Sequence, residues 1–523
     1  MPHTTASTAV PPRRWWARLG VGVLAWSLCL GPAWPQRNAL PALGEGEGLS
    51  LSAERQLGDR IVRELYRDPD HIEDALLDDY VQSLWAPLVQ AAAARGELSD
   101  ELRERFAWRI LLSRDRSVNA FALPGGYLGV HLGLIAVVGS RDELASVLAH
   151  ELSHVTQRHI ARSIEAQGRM TPVLIGSLIL GALAASKSPQ ATQALVVGGQ
   201  AAAIQSQLSY SRDMEREADR IGFGVMTAAG YEGQSFVSMF EKLQQAARLN
   251  DNGAYPYLRS HPMTTERIAD AQARQQLLPA RSPAPLTPLH AMMAARAQVL
   301  VNPGVDAMRK LVAQAEPASL RIAPLARQAG HLYGAVLAAL RLREPEQAQR
   351  HLAQLHALPG LDAPAQRVVR GLEAEVALAA GHAQAALRAL QAEPKHAPLD
   401  RAARLQLAQI QVATQQPEMI RQAVQNLLRW TDQHPRDALA WLLLSSAYQA
   451  QGDELRAIRA QAESRFVQLD YPAAVDRFKA AQGLATEWTR SGRLDRAGQV
   501  EAAIIDARLR ESEQLRREQA LQR

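Results

Sequence analysis

The chain has 523 residues, 58 Lys+Arg against 53 Asp+Glu, 47% hydrophobic residues and a single cysteine, Cys29. That apolar content excludes a disordered chain, and the length allows about three domains. One cysteine excludes a disulfide scaffold within the chain and any zinc site built on several thiolates, so a metal must sit on His, Asp or Glu. The basic residues are scattered among acids rather than gathered into runs, which leaves no footprint for nucleic acid.

Residues 1–36 read as a secretory signal. A basic start with Arg13, Arg14 and Arg18 leads into an apolar run over residues 19–30 and then Gly31-Pro32-Ala33. The run is shorter than the roughly 20 residues of a membrane span, so cleavage near Ala33 is expected rather than anchoring. Trp26 and Leu28 before Cys29 do not suit a lipoprotein signal, and Cys29 is expected to leave with the segment. This predicts export to the periplasm.

Residues 49–276 mix helical periodicity with short strand-like runs at 106–112, 117–122 and 127–131, the last two joined by Pro124-Gly125-Gly126. A small sheet is expected. Ser140 and Glu143 form a capping box for a helix whose apolar stripe runs through Leu144, Val147, Leu148 and Val155. On that helix His150 and His154 lie four apart and share a face, so both can point a ring nitrogen at one ion, with Glu151 beside them.

A third ligand is needed. A histidine at the metzincin spacing is absent, because position 160 is Ile160 and His159 is one residue out of register; His159 reads as a surface or supporting residue. The alternative is a later helix on which Glu215 and Asp219 are again four apart. Glu215 would reach the metal while Asp219 accepts the second N–H of a ligand histidine; Glu217 faces elsewhere and is the less favoured ligand. Between the two motifs, the apolar runs at 173–185 and 194–204 read as a buried helix or as a flap touching membrane or partner.

Pro279, Pro283, Pro285 and Pro288 mark a linker over residues 277–289. Residues 290–523 are nearly all helical, with breaks at Gly360, Gly381, Pro394, Pro417, Pro435 and Gly452. Trp441, Leu444, Ser445 and Tyr448, followed by Gly452-Asp453 and Ala457, match the tetratricopeptide (TPR) pattern, and residues 335–355 and 371–390 keep its apolar rhythm. Residues 502–523 read as a charged, solvated helix. The expected fold is therefore mainly α: a domain of helices with a small β-sheet, then an α-helical TPR solenoid.

His150-Glu151-Leu152-Ser153-His154 followed by Glu215-Arg216-Glu217-Ala218-Asp219 resembles the gluzincin peptidases of the CAAX prenyl protease and heat-shock membrane protease family. The resemblance runs on through residues 119–126 and through Ser260-His261-Pro262 to Arg267. It implies one Zn2+ held by His150, His154 and Glu215, with Glu151 as general base for peptide hydrolysis. His261 and Arg267 are candidate donors to the developing oxyanion. The resemblance also implies another role for His261, as a zinc ligand in a resting enzyme; a helix cap is its bland alternative. The implied function is a cell-envelope endopeptidase that degrades misfolded or stalled outer-membrane proteins. Its partners would be such substrates and, through the TPR region, the barrel assembly machinery, with peripheral membrane contact. A non-catalytic TPR chaperone or assembly factor is the rival, but it has no use for Glu151. A membrane-embedded prenyl-protein protease lacks a long enough span.

Overall fold

The computed structural model describes residues 49–166, 211–249, 255–279, 282, 284–301, 304–391 and 399–521. The export segment with Cys29 and both apolar runs, 173–185 and 194–204, lie outside these residues. Helix α1 (Leu51–Arg67) starts where Ser50 Oγ accepts the Ala53 N–H, and it buries Leu57, Ile61 and Val62 against Leu111, Leu123 and Tyr127. Gly58 permits this packing, since a Cβ there would lie 2.0 Å from the Pro124 carbonyl oxygen.

Four strands form the sheet, in the order β1-β2-β4-β3: β1 (His71–Ile72), β2 (Arg109–Ser113), β3 (Ala120–Leu123) and β4 (Tyr127–His131). β2 runs parallel to β4, while β1 and β3 pair antiparallel with β2 and β4. The third expected strand is met at residues 127–131, but the first two begin late. Phe106 closes helix α3 (Asp100–Arg105), and Trp108 takes a left-handed φ of 49°, so β2 cannot start before Arg109. Ser117 is held in a turn by Asp115, which delays β3. That leaves β3 as a sheet edge.

Helix α2 (Ala75–Ala94) is capped by Asp74, and α4 (Leu132–Val137) follows β4. Helix α5 (Arg141–Thr156) starts at Ser140, whose Oγ accepts the Glu143 N–H; the Glu143 carboxylate closes the cap on Gly139 N–H rather than on Ser140. Every α5 residue after Arg141 is buried. Then come α6 (His159–Ala166), α7 (Arg212–Ala228), α8 (Gly233–Leu249), α9 (Tyr257–Ser260) and α10 (Thr265–Gln276). α7 lies against α5 at Gly222, where a Cβ would sit 3.1 Å from the Ala149 carbonyl oxygen.

The proline-rich stretch does not divide the molecule into separate cores. Helix α11 (Pro288–Leu300) begins inside it, and one hydrophobic cluster runs from Ile72 to Val376. His290 is fully buried, with Nδ1 2.6 Å from Tyr80 Oη and Nε2 3.0 Å from the Val138 carbonyl. Helices α12 (Val305–Ala313), α13 (Pro317–Leu320), α14 (Leu325–Arg341), α15 (Pro345–His356), α16 (Ala363–Ala379) and α17 (Ala383–Gln391) continue the array. Beyond them come α18 (Arg401–Ala413), α19 (Pro417–Gln433), α20 (Ala438–Gln451), α21 (Glu454–Val467), α22 (Tyr471–Arg490) and α23 (Arg496–Leu521). Trp441, Leu444 and Tyr448 of α20 pack with Ala457 and Ala460 of α21, and Gly452, at φ 81°, supplies the left-handed stop between them. The last helix differs from expectation. Its charged face is solvated, but Ile505 and Leu509 bury against Val475 and Phe478 of α22.

Besides Arg67 with Asp470 at 2.9 Å, ionic contacts at Arg296 and at Arg401 tie the array to the sheet-bearing region. Arg296 of α11 donates to both oxygens of Asp74 at 2.8–3.0 Å, and to Glu375 Oε1 at 3.0 Å. Replacing Arg296 with Ala strands the Asp74 charge in a largely buried site, and the expected loss is about 3–5 kcal/mol, read as a lower urea midpoint. At the second contact Arg401 of α18 binds Asp79 and Asp437. Asp78 beside it is pushed up to about 8, chiefly by burial and further by Asp74, Glu73 and Asp79, with Arg401 opposing. A raised acid pKa means that the folded chain holds a proton which the unfolded chain has lost, so stability should fall as pH rises from about 4 to about 8. Thermal midpoints of wild type and Asp78→Asn at pH 5 and pH 8 check this: the wild type should lose more on going to pH 8.

Candidate metal centre

Helix α5 carries His150, Glu151 and His154 into the core, where none is more than 1% exposed. The four-residue spacing stacks the two imidazoles on one face, with their Nε2 atoms 3.0 Å apart. α7 is laid against that face and brings Glu215, whose oxygens lie 3.5 Å from His154 Nε2 and 3.6 Å from His150 Nε2. From the turn after α9, His261 reaches in with Nδ1 2.9 Å from Glu215 Oε1 and 3.3 Å from His150 Nε2.

These four side chains are a group able to hold a metal, with one donor atom from each and all four atoms within 4.8 Å of one another. Donors 2.0–2.2 Å from a tetrahedral ion lie roughly 3.3–3.6 Å apart, so the spacing and the nitrogen and oxygen chemistry both suit zinc. Glu151 Oε1 is buried without a hydrogen-bond partner, as an acceptor facing a cation would be, whereas Glu215 Oε2 faces the Arg267 guanidinium. His261 does not cap the helix that follows it; Thr264 does, its Oγ1 accepting the Arg267 N–H. His261 lies just after α9 and is a member of this group.

Glu151 sits between the cluster and the sheet edge. Its Oε2 accepts the Ala122 N–H of β3 at 2.9 Å, and its Oε1 lies 3.4 Å from His261 Nε2. Burial pushes its carboxyl above the usual range. Burial works the same way on Glu215, but His261 and His150 beside it hold it well below that range. His154 is pushed well below the ordinary imidazole value, first by burial and then by His150.

Supporting contacts surround the cluster. Asp219 Oδ1 lies 3.0 Å from His150 Nδ1. Arg267 grips Asp219 with two hydrogen bonds of 2.6 and 2.8 Å, donates to the Pro262 carbonyl and lies 2.7 Å from Glu215 Oε2. This corrects one expectation: the Arg267 guanidinium is committed to the two acids and is not turned toward an oxyanion. His159 is likewise no surface residue. It is fully buried, with Nδ1 2.8 Å from His154 Nδ1 and Nε2 3.0 Å from Glu217 Oε2. Glu217 faces away from the metal group, toward His159 and Arg162.

Tyr257 is a site residue that the sequence motifs do not single out. Its ring stacks on His261 at 4.5 Å, and burial holds its hydroxyl well above the usual value, so it remains neutral. The only signal for it in the sequence is its position four residues before His261.

Residues 78–275, which contain the whole cluster, match Peptidase family M48. A relative from Vibrio cholerae is 34% identical over 60% of this chain and 63% of its own length. The beta-barrel assembly-enhancing protease of Yersinia pestis is 29% identical over 92% of this chain and 93% of its own. The protein of that name from Escherichia coli K12 is 36% identical over 45% of this chain and 47% of its own. The matched chain therefore spans less than two thirds of the first and third of these relatives. The His–His–Glu–His group able to hold a metal lies inside the residues that match Peptidase family M48, a family of zinc metallopeptidases, so this region of the chain is similar to that family.

Proposed function

We propose that this protein is a periplasmic zinc endopeptidase that cleaves misfolded or stalled outer-membrane proteins, and that its C-terminal helices form a TPR array recruiting substrate or the barrel assembly machinery. The observation that carries the reading is Glu151, buried between the donor group and the β3 edge. A structural zinc site needs no such carboxylate. The relatives' names support the link to barrel assembly, and the signal-like start of the chain supports export. Among the described residues no helix is long and apolar enough to cross a membrane, which fits peripheral contact at most.

His150, His154 and Glu215 would hold the ion. Bound zinc supplies Lewis-acid chemistry, polarising the scissile carbonyl and acidifying a water molecule. A substrate strand adds along β3, which brings its peptide bond over the donor group. Glu151 takes a proton from the attacking water as the O–C bond forms, then delivers it to the leaving nitrogen as the C–N bond breaks. Asp219 sets the ring of His150, and Arg267 holds Asp219 and Glu215 in place.

His261 completes four protein donors, which is the closed shell of a structural site, whereas catalysis needs an open position. With all four side chains on a bound ion the resting enzyme would be latent, and His261 would have to leave when substrate arrives.

Two substitutions test the reading. Glu151→Gln should lower cleavage of an unfolded outer-membrane protein about 10²–10⁴-fold while keeping one zinc per chain by elemental analysis; equal activity in the two proteins would instead favour a non-catalytic assembly factor. His261→Ala should raise basal proteolysis of the same substrate in a time-course assay, and an unchanged rate would remove the latch.

A further inference from the structure

We infer that His159 and Glu217 are positioning residues, forming a relay that fixes which nitrogen of His154 faces the metal; the inference rests on the zinc reading above. The two Nδ1 atoms of His154 and His159 are 2.8 Å apart, so one donates a hydrogen and the other accepts it. Glu217 decides which. Its carboxylate accepts from Arg162 Nη1 at 2.8 Å and faces His159 Nε2 at 3.0 Å. An ionised carboxylate only accepts, so the His159 hydrogen sits on Nε2 and its Nδ1 is left with a lone pair. His154 must then donate from Nδ1. Its own lone pair is thereby confined to Nε2, the atom 3.0 Å from His150 Nε2 and 3.5 Å from Glu215 Oε1.

A second observation shows that the chain is built to hold His159 there. A residue five beyond His154 on a continuous helix would point away from it. The helix is interrupted instead: Gln157 closes α5, and Arg158 takes a left-handed φ of 52°, a conformation that a non-glycine residue adopts at a cost. The reversal is secured from α1. Arg158 Nε donates to the buried Glu54 at 2.8 Å, and its Nη2 donates to the Leu49 carbonyl. The turn brings His159 back against His154 at the start of α6.

The two helix-borne histidines are thus set by different means. His150 meets the carboxylate of Asp219 directly, with Arg267 behind it. His154 meets a carboxylate through a second imidazole, with Arg162 behind it. α7 contributes Glu215 to the donor group and both supporting acids.

Zinc affinity of the full chain, measured by chelator competition with Zn2+ as the only ligand, tests the relay independently of proteolysis. His159→Ala should weaken zinc binding about 10–100-fold, and Glu217→Ala should weaken it in the same direction. His159→Asn should restore most of the loss, because its amide oxygen occupies the place of Nδ1 and accepts from His154. Far-UV circular dichroism of each metal-free variant establishes that it is folded. Wild-type affinity in a folded His159→Ala chain would overturn the relay, as would equal weakening by Ala and Asn, which would mean that His159 only fills space. A wild-type chain that takes up no zinc would sink the zinc reading and the relay together.

Discussion

The burial of α5 is the constraint on which the rest of the molecule depends. This helix takes two imidazoles and a carboxylate to positions that water does not reach. Removing each charge from solvent costs several kcal/mol unless neighbours of opposite sign or fixed hydrogen bonds offset it. α7 is the main compensating element. Glu215 and Asp219 face α5, and a bare glycine, Gly222, lets the two helix backbones approach closely enough for short carboxylates to reach the rings. Arg267 then balances the acids, and its own guanidinium lies over the Phe240 ring at 5.1 Å.

The same core extends into the C-terminal helices. α11 starts at the Thr287 cap and seats His290 between Tyr80 and the Val138 carbonyl, at the end of α4. The array is therefore bedded on the peptidase elements instead of hanging from a linker. The C-terminal helices are thus held at a fixed place relative to the donor group. Arg401 on Asp79, Arg296 on Asp74 and Arg67 on Asp470 clamp that seam.

Much of this is legible in the sequence, for physical reasons. The i, i+4 spacing of His150 with His154 and of Glu215 with Asp219 is a helical-face argument, and Ser140, Gly452 and Pro417 mark helix ends by their backbone chemistry. What escapes a sequence reading depends on turns and long-range packing. β1 is two residues long, too short for any alternation to show. The register of His159 fails on a straight helix, and nothing in Arg158 announces a left-handed turn. Arg267 reads as a free cation until Asp219 and Glu215 are placed against it. The four prolines around 277–289 read as a boundary, yet Pro288 opens a helix whose apolar face belongs to the shared core.

His261 occupies a position from which one movement changes two things. Its Nδ1 lies 2.9 Å from Glu215 Oε1 and 3.3 Å from His150 Nε2, while its Nε2 faces Glu151 at 3.4 Å, so a single ring spans the donor group and that carboxylate. With zinc bound by His150, His154 and Glu215, withdrawing this ring would leave room for a water molecule and would also uncover the Glu151 carboxylate. Neither change alone would give an active site. The ring is held by stacking on Tyr257, and the turn that carries it is anchored through the Pro262 carbonyl to Arg267. Arg267 in turn grips the acids that orient the ligands. One guanidinium thus joins the turn that carries His261 to the acids beside the donor group. The Ala122 N–H at the β3 edge holds one oxygen of Glu151, and the other oxygen faces His261, so the sheet edge and that ring meet at a single carboxylate.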